Sequence, residues 1–312
     1  MKKVLFATTA LVATAGVAAA DVTFGGYGRF GIQYSDTAAG DSTDVTSRFR
    51  LQIDATAETD NGVVVGARAR IQQDNDDAVS IDSLGADVDG DGVPNYRTDR
   101  FGSGINGVRF FARSGGFEVG VGNIFGALET MPGQYPIDLG LTGLGYQYTA
   151  FTGADAYDSD EEGAAGANGV EVLYSAGDLA VHVSASDIND RVAGYVAYTW
   201  SGWTFAVGGQ DSDAATDTEW TATAGGSFGI ADVTLAYADN GTSGDRTVLA
   251  GRFDVGAATD VEVYVADQEG AADTGYGVDF NHDLGGGVSL RGGVAHLFNG
   301  DDIADMGVRF NF

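Results

Sequence analysis

Residues 305–312 alternate strictly between two kinds of side chain. Met306, Val308, Phe310 and Phe312 are apolar, whereas Gly307, Arg309 and Asn311 are small or polar. A period of two puts the two sets on opposite faces of a pleated strand. The pattern recurs along the chain. Over 22–34, Val22, Phe24, Phe30, Ile32 and Tyr34 share one face, and Thr23, Tyr27, Arg29 and Gln33 the other. Over 46–58, Phe49, Leu51, Ile53, Ala55 and Ala57 oppose Arg48, Arg50, Gln52, Asp54, Thr56 and Glu58. Over 63–73, Val63, Val65, Ala67, Ala69 and Ile71 oppose Arg68, Arg70 and Gln72. Similar segments follow near 105–113, 117–123, 169–175, 179–187, 191–200, 203–210, 218–228, 232–238, 246–255, 260–267, 274–282, 288–298 and 305–312, for a total of sixteen. Segments of roughly ten residues suit tilted strands that cross a bilayer.

The connections alternate in length. Short turns, such as the Asn61-Gly62 hairpin signal, alternate with longer acidic loops at 35–45, 74–104, 124–168, 211–217, 239–245 and 267–273. Tyr34, Trp200, Trp203, Trp220, Tyr237 and Phe298 sit near strand ends, where interfacial aromatic girdles are expected. No run beyond the first twenty residues resembles a spanning helix, and only helices and closed barrels satisfy backbone polar groups in lipid. The predicted fold is therefore all-β: a 16-stranded antiparallel transmembrane β-barrel over 21–312. An even strand number leaves both termini on one side. Ahead of it, Met1-Lys2-Lys3, the apolar run Val4 to Val17 and Ala18-Ala19-Ala20 predict a signal peptide over 1–20, cleaved before Asp21.

Charge narrows the function. Asp and Glu number 45 against 16 Lys and Arg, a net of −29. That sign excludes nucleic acid as a partner. The two lysines lie in the leader, so the barrel's fixed cations are arginines. Cysteine is absent, which removes disulfides and thiolate metal sites. Arg29, Arg48, Arg50, Arg68, Arg70, Arg109 and Arg113 fall on inward faces of the first four strands, and Arg309 on the last strand, which must neighbour the first in a closed barrel. Together they predict a continuous basic wall in the lumen, the kind of charged lining that sets pore selectivity.

The segment 124–168 is too long for an idle connection. Its acids Glu129, Asp138 and Asp155 are candidates to face that wall if the segment folds inward. Asp87, Asp89 and Asp91, in Asp-x-Asp-x-Asp-Gly spacing, offer alternating oxygen ligands for calcium. Thr98 occupies the position where a bidentate glutamate is required, so a weak calcium site and a plain acidic loop both stay open. No cofactor is required by any motif. Gly26-Tyr27-Gly28-Arg29-Phe30-Gly31 and Gly225-Gly226-Ser227-Phe228-Gly229 match enzyme patterns, but the first lies inside a predicted strand with no helix following and the second lacks the strand-turn-helix elbow. His182, His282 and His296 lack metal spacing.

The start Asp21-Val22-Thr23-Phe24-Gly25-Gly26-Tyr27-Gly28-Arg29, the sixteen-strand rhythm, the long third loop and the terminal Phe312 resemble the Gram-negative general porins, particularly their alphaproteobacterial, Rhodobacter-type branch. The resemblance covers the chain after the leader. It implies a homotrimer in outer-membrane lipid, a third loop folded into each lumen, and Phe312 as the signal read by the outer-membrane assembly machinery. The expected function is passive diffusion of small hydrophilic solutes and ions, with a weak cation preference from the acidic excess. A solute-selective channel for sugars or anions is the alternative within transport. A secreted calcium-binding β-protein or adhesin is the rival from another class; it would be soluble without detergent.

Overall fold

The computed structural model describes residues 20–75, 79–83, 96–100, 104–105, 107–153 and 168–312. Among these, sixteen antiparallel strands form a closed ring. We number them β1 (Asp21–Thr37), β2 (Gly40–Glu58), β3 (Val64–Asp74), β4 (in two pieces, Gly104–Ile105 and Arg109–Ser114), β5 (Phe117–Gly122) and β6 (Gly169–Ala176). The ring continues through β7 (Leu179–Ser186), β8 (Val192–Trp200), β9 (Trp203–Asp211), β10 (Glu219–Phe228) and β11 (Ala231–Asp239). It ends with β12 (Arg246–Gly256), β13 (Thr259–Gln268), β14 (Gly275–Gly285), β15 (Val288–His296) and β16 (Asp302–Asn311). Each strand pairs with its sequence neighbours, and β1 pairs with both β2 and β16. Closure leaves the ring without an unpaired edge, which is what a bilayer demands. Between β3 and β4, Val79–Ser83 and Tyr96–Arg100 pair as a separate hairpin that the alternation did not reveal.

The apolar set of each strand points outward. Phe24, Phe30, Ile32, Phe49 and Leu235 are exposed on β1, β2 and β11, forming an apolar outer face suited to lipid. Phe312 extends the closing ladder by one step. Its N–H donates to the Gly26 carbonyl, and the Gly26 N–H donates to its carbonyl, both at 3.1 Å. The Phe312 ring stacks on Phe49, centroids 5.6 Å apart.

Two expectations fail here. Residues 35–45 are not a loop: β1 and β2 run on as paired strands to Thr37 and Gly40, with Ser35 opposite Ser42. The Thr37 hydroxyl accepts the Ala39 N–H and donates to the Gly40 carbonyl, so a two-residue turn suffices and polar composition alone misled. Phe298 is not a girdle residue either. It is buried, lies beyond the end of β15, and stacks against the inward Arg246 guanidinium at 4.8 Å.

The hydrophobic core sits inside the ring. Leu128, Met131, Ile137, Leu139, Leu144, Tyr148 and Phe151 of the segment after β5 pack on Ala193, Ala197, Ala206, Ala236, Val248, Ala250 and Ala266 of β8, β9 and β11–β13. Small inward residues leave room for a chain to lie flat against that wall.

Candidate functional site

The lumen has two unlike halves. On one side, register places the arginines next to each other. Arg29 lies opposite Arg309 on β16 and Arg48 on β2, and Arg68 lies opposite Arg109 on β4. β2 and β3 carry the same motif, Arg48-x-Arg50-x-Gln52-x-Asp54 and Arg68-x-Arg70-x-Gln72-x-Asp74. Antiparallel pairing makes it self-complementary: Arg48 faces Asp74, Arg50 faces Gln72, Gln52 faces Arg70 and Asp54 faces Arg68. The outer rungs are ion pairs, with Arg68 Nε 2.7 Å from Asp54 Oδ1 and Arg48 Nε bonded to Asp74 Oδ1. On the inner rungs Arg50 Nε donates to Gln72 Oε1 at 2.7 Å, and Arg70 Nε to Gln52 Oε1 at 3.1 Å. Both amides then donate to the aspartate two residues along, Gln52 to Asp54 at 2.6 Å and Gln72 to Asp74 at 3.1 Å. Farther round, Arg109 bonds Glu171 and Glu118. His182 is fully buried between Glu171 Oε2 and the Thr130 hydroxyl, 2.9 Å from each.

On the other side, the segment from Asn123 to Gly153 is tied to inward side chains of much of the ring. The Ala127 N–H donates to Ser184 Oγ at 2.9 Å, and Thr223 Oγ1 donates to the Pro132 carbonyl at 2.6 Å. Three carboxylates then receive successive backbone amides. Glu262 takes the Asp138 N–H at 2.9 Å, and Asp279 takes the Gly140 N–H. Asp305 takes the N–H of Leu141 at 2.9 Å, and the N–H and hydroxyl of Thr142, each at 2.7 Å. Arg29 Nη1 donates to the Leu141 carbonyl at 2.9 Å. On the return, Arg246 Nη1 donates to the Thr149 carbonyl at 2.9 Å, and Asn240 holds Ala150 and Thr152. Burial pushes the Tyr148 phenol well above its ordinary pKa, so it stays a neutral member of this packing.

Asp138 meets the basic side directly. Its Oδ2 accepts from Arg291 Nη1 at 2.6 Å and from Arg309 Nη1 at 2.8 Å. Glu129 lies half-buried on the same segment, and its neighbour Thr130 bonds His182 of β7. Asp155 and the three aspartates Asp87, Asp89 and Asp91 lie outside the described residues. Arg291, Glu262, Asp279 and Asp305 went unnoticed in the sequence, although each occupies an inward position of an alternating strand.

A closed ring of sixteen strands, greasy outside and lined by arginines and carboxylates inside, has the makings of a pore. A family model described as Gram-negative porin matches residues 7–302. The chain belongs to the Gram-negative porin family. Among curated relatives, the porin of Fuscovulum blasticum is 31% identical, covering 94% of this chain and all of the relative. The porin of Rhodobacter capsulatus is 29% identical with the same coverage of both chains. Solved structures of Rh. blastica porin variants superpose with TM-scores of 0.77 and 0.76 at 26% and 28% identity, over 94% of this chain and 100% of theirs. This porin is thus an outer-membrane pore protein, and its relatives are channels rather than enzymes.

Proposed function

We propose that this porin is a general diffusion channel for small hydrophilic solutes and ions, weakly cation-preferring, with the segment 123–153 narrowing its lumen. The observation carrying this reading is Asp138, which spans from that segment to Arg291 and Arg309 on the basic side. A carboxylate surface set against guanidiniums creates a transverse field, which orients water and dipolar solutes and slows apolar ones. The acidic excess, −29 overall, favours cations at low salt, and screening weakens the preference as salt rises. A solute-selective channel would need an ordered aromatic track; the inward Tyr27, Phe111, Tyr195 and Tyr264 lie scattered on β1, β4, β8 and β13.

Planar bilayers test this. The purified protein is expected to insert with conductance steps in threes, as a homotrimer does, and with a reversal potential on the cation side in a salt gradient. Asp138→Asn keeps the backbone anchor to Glu262 but leaves Arg291 and Arg309 without their shared anion. Its reversal potential should move toward anions, strongly at 0.1 M salt, where the Debye length is about 10 Å, and little at 1 M, where it is about 3 Å. Clear anion preference in the unsubstituted protein sinks the cation reading.

Export after cleavage of residues 1–20, and recognition of Phe312 by the assembly machinery, complete the proposal. Deleting Phe312 removes the two bonds to Gly26 and the stack on Phe49. The expected result in cells is loss of outer-membrane insertion, while the purified variant still refolds in detergent with a slightly lower melting temperature. Normal insertion would end the signal role. The residues of the candidate calcium loop lie outside the described structure, and calcium at Asp87, Asp89 and Asp91 stays a proposal resting on their spacing.

A further inference from the structure

The wall arginines converge on two aromatic rings. The ring of Tyr27 on β1 lies 4.3 Å from the Arg309 guanidinium carbon and 5.3 Å from that of Arg50. Its hydroxyl accepts from Arg48 Nη1 at 3.5 Å. Phe125, where the chain leaves β5 for the inner segment, lies 5.4 Å from the guanidinium carbon of Arg68, 4.9 Å from that of Arg70 and 5.7 Å from that of Arg109. Arg50 and Arg309 thus meet the Tyr27 ring, and Arg68, Arg70 and Arg109 the Phe125 ring, while Arg113 stacks on Phe111.

We propose that Tyr27 and Phe125 are positioning residues for ion selection, the Tyr27 ring fixing the direction of the Arg50 and Arg309 guanidiniums and the Phe125 ring that of Arg68, Arg70 and Arg109, without adding charge of their own. This rests on the pore reading above. A carboxylate partner cancels an arginine's charge. A ring face attracts the cation through its quadrupole and adds no net charge, and the flat guanidinium stacks well on it. Acids on the same wall already pair with several of these arginines, Asp54 with Arg68, Asp74 with Arg48, Glu171 with Arg109 and Asp138 with Arg309, so an acid and a ring share the task of orienting them. Without the rings, the acids alone orient these long side chains, and the positive potential facing the lumen weakens. Phe125 also couples the wall to the start of the inner segment, so the two sides of the lumen share one packing unit. The chemistry that senses this arrangement is that of small anions, whose passage depends on where the positive charge is presented.

Phe125→Leu and Tyr27→Leu test the idea, because neither changes the charge. In planar bilayers with a potassium chloride gradient, each should lower chloride permeability relative to potassium by about twofold or more, the scale of a single cation–π contact at a wet site. Phe125→Trp and Tyr27→Phe keep a ring face and should hold the unsubstituted ratio. Heat-resistant migration in detergent gels, measured on all four, shows that the barrel is folded. Leucine variants with an unchanged permeability ratio overturn the proposal. So does an equal shift in the ring-preserving variants, because the ring face would then be irrelevant. A protein silent in bilayers before any substitution overturns the pore reading itself.

Discussion

Gly307→Val is expected to abolish the folded barrel. Gly307 on β16 lies directly opposite Gly31 on β1, at the seam where the ring closes. Both occupy inward positions, and Leu141 of the inner segment sits on the pair. A Cβ on Gly307 would fall 2.2 Å from the Phe30 carbonyl oxygen, 2.7 Å from the Gly31 Cα and 2.6 Å from Leu141 Cδ2. A Cβ on Gly31 would fall 2.2 Å from the Met306 carbonyl oxygen. The side chain of Leu141 could yield; the backbone oxygens cannot, because they belong to the closing ladder. Overpacking of this kind, without a route to relax, costs more than about 4 kcal/mol. For that reason, adding Leu141→Ala should not rescue the variant. The comparison is Gly229→Ala, at a turn where nothing lies within 4 Å of the added methyl and only a positive φ of 65° is strained. That change costs about 1–2 kcal/mol and should leave the barrel intact. Heat-modifiable migration in detergent gels separates the two outcomes. A Gly307→Val protein that migrates as a compact, heat-resistant barrel would show the seam to be far more plastic than its geometry allows.

Most of the ring was legible because a one-face-buried strand leaves its signature in every second residue. Val22 to Tyr34 and Phe49 to Ala57 could be assigned to lipid from alternation alone, and with them the inward arginines of β1–β3. The legibility faded where both faces are apolar. On β8, Ala193 and Ala197 line the core while Val192 and Val196 face lipid, so the contrast that marks a face is lost. The same strands hide the reason for their small residues, which is a chain segment far away in sequence. Partnerships across the lumen were out of reach for a related reason. Period two says that Asp305 points inward, but not that it meets Leu141 and Thr142. Arg291 went unnoticed for the same reason, since only the folded segment brings Asp138 between it and Arg309. Phe125 lies in no alternating run, so no periodic signal marks it as the ring beneath three guanidiniums.

Asp305→Ala should loosen the inner segment and leave the ring closed. One carboxylate takes three hydrogen bonds from two adjacent residues, the N–H of Leu141 and both donors of Thr142. It is itself buried, so water does not readily replace it. Alanine leaves two backbone amides and a hydroxyl unsatisfied, at about 1–3 kcal/mol each before relaxation. A net loss of about 3 kcal/mol raises the population of a displaced segment by roughly a hundredfold, since 1.4 kcal/mol is a factor of ten. The segment keeps its bonds to Glu262, Asp279, Asn240 and Arg246, and the side chain at 305 makes no ladder bonds, so barrel closure is spared. Single-channel records are expected to show larger and noisier currents, and liposome swelling should admit longer oligosaccharides. Asp305→Asn should fall between, because the amide oxygen can still accept from one residue while its N–H₂ group faces the donors of the other. The discriminating observation is the pairing of loosened current with an intact, heat-resistant barrel. Currents and size limit unchanged in Asp305→Ala would mean that the remaining anchors hold the segment without this carboxylate. Currents unchanged in size but absent from most channels would mean that Asp305 serves closure of the seam instead.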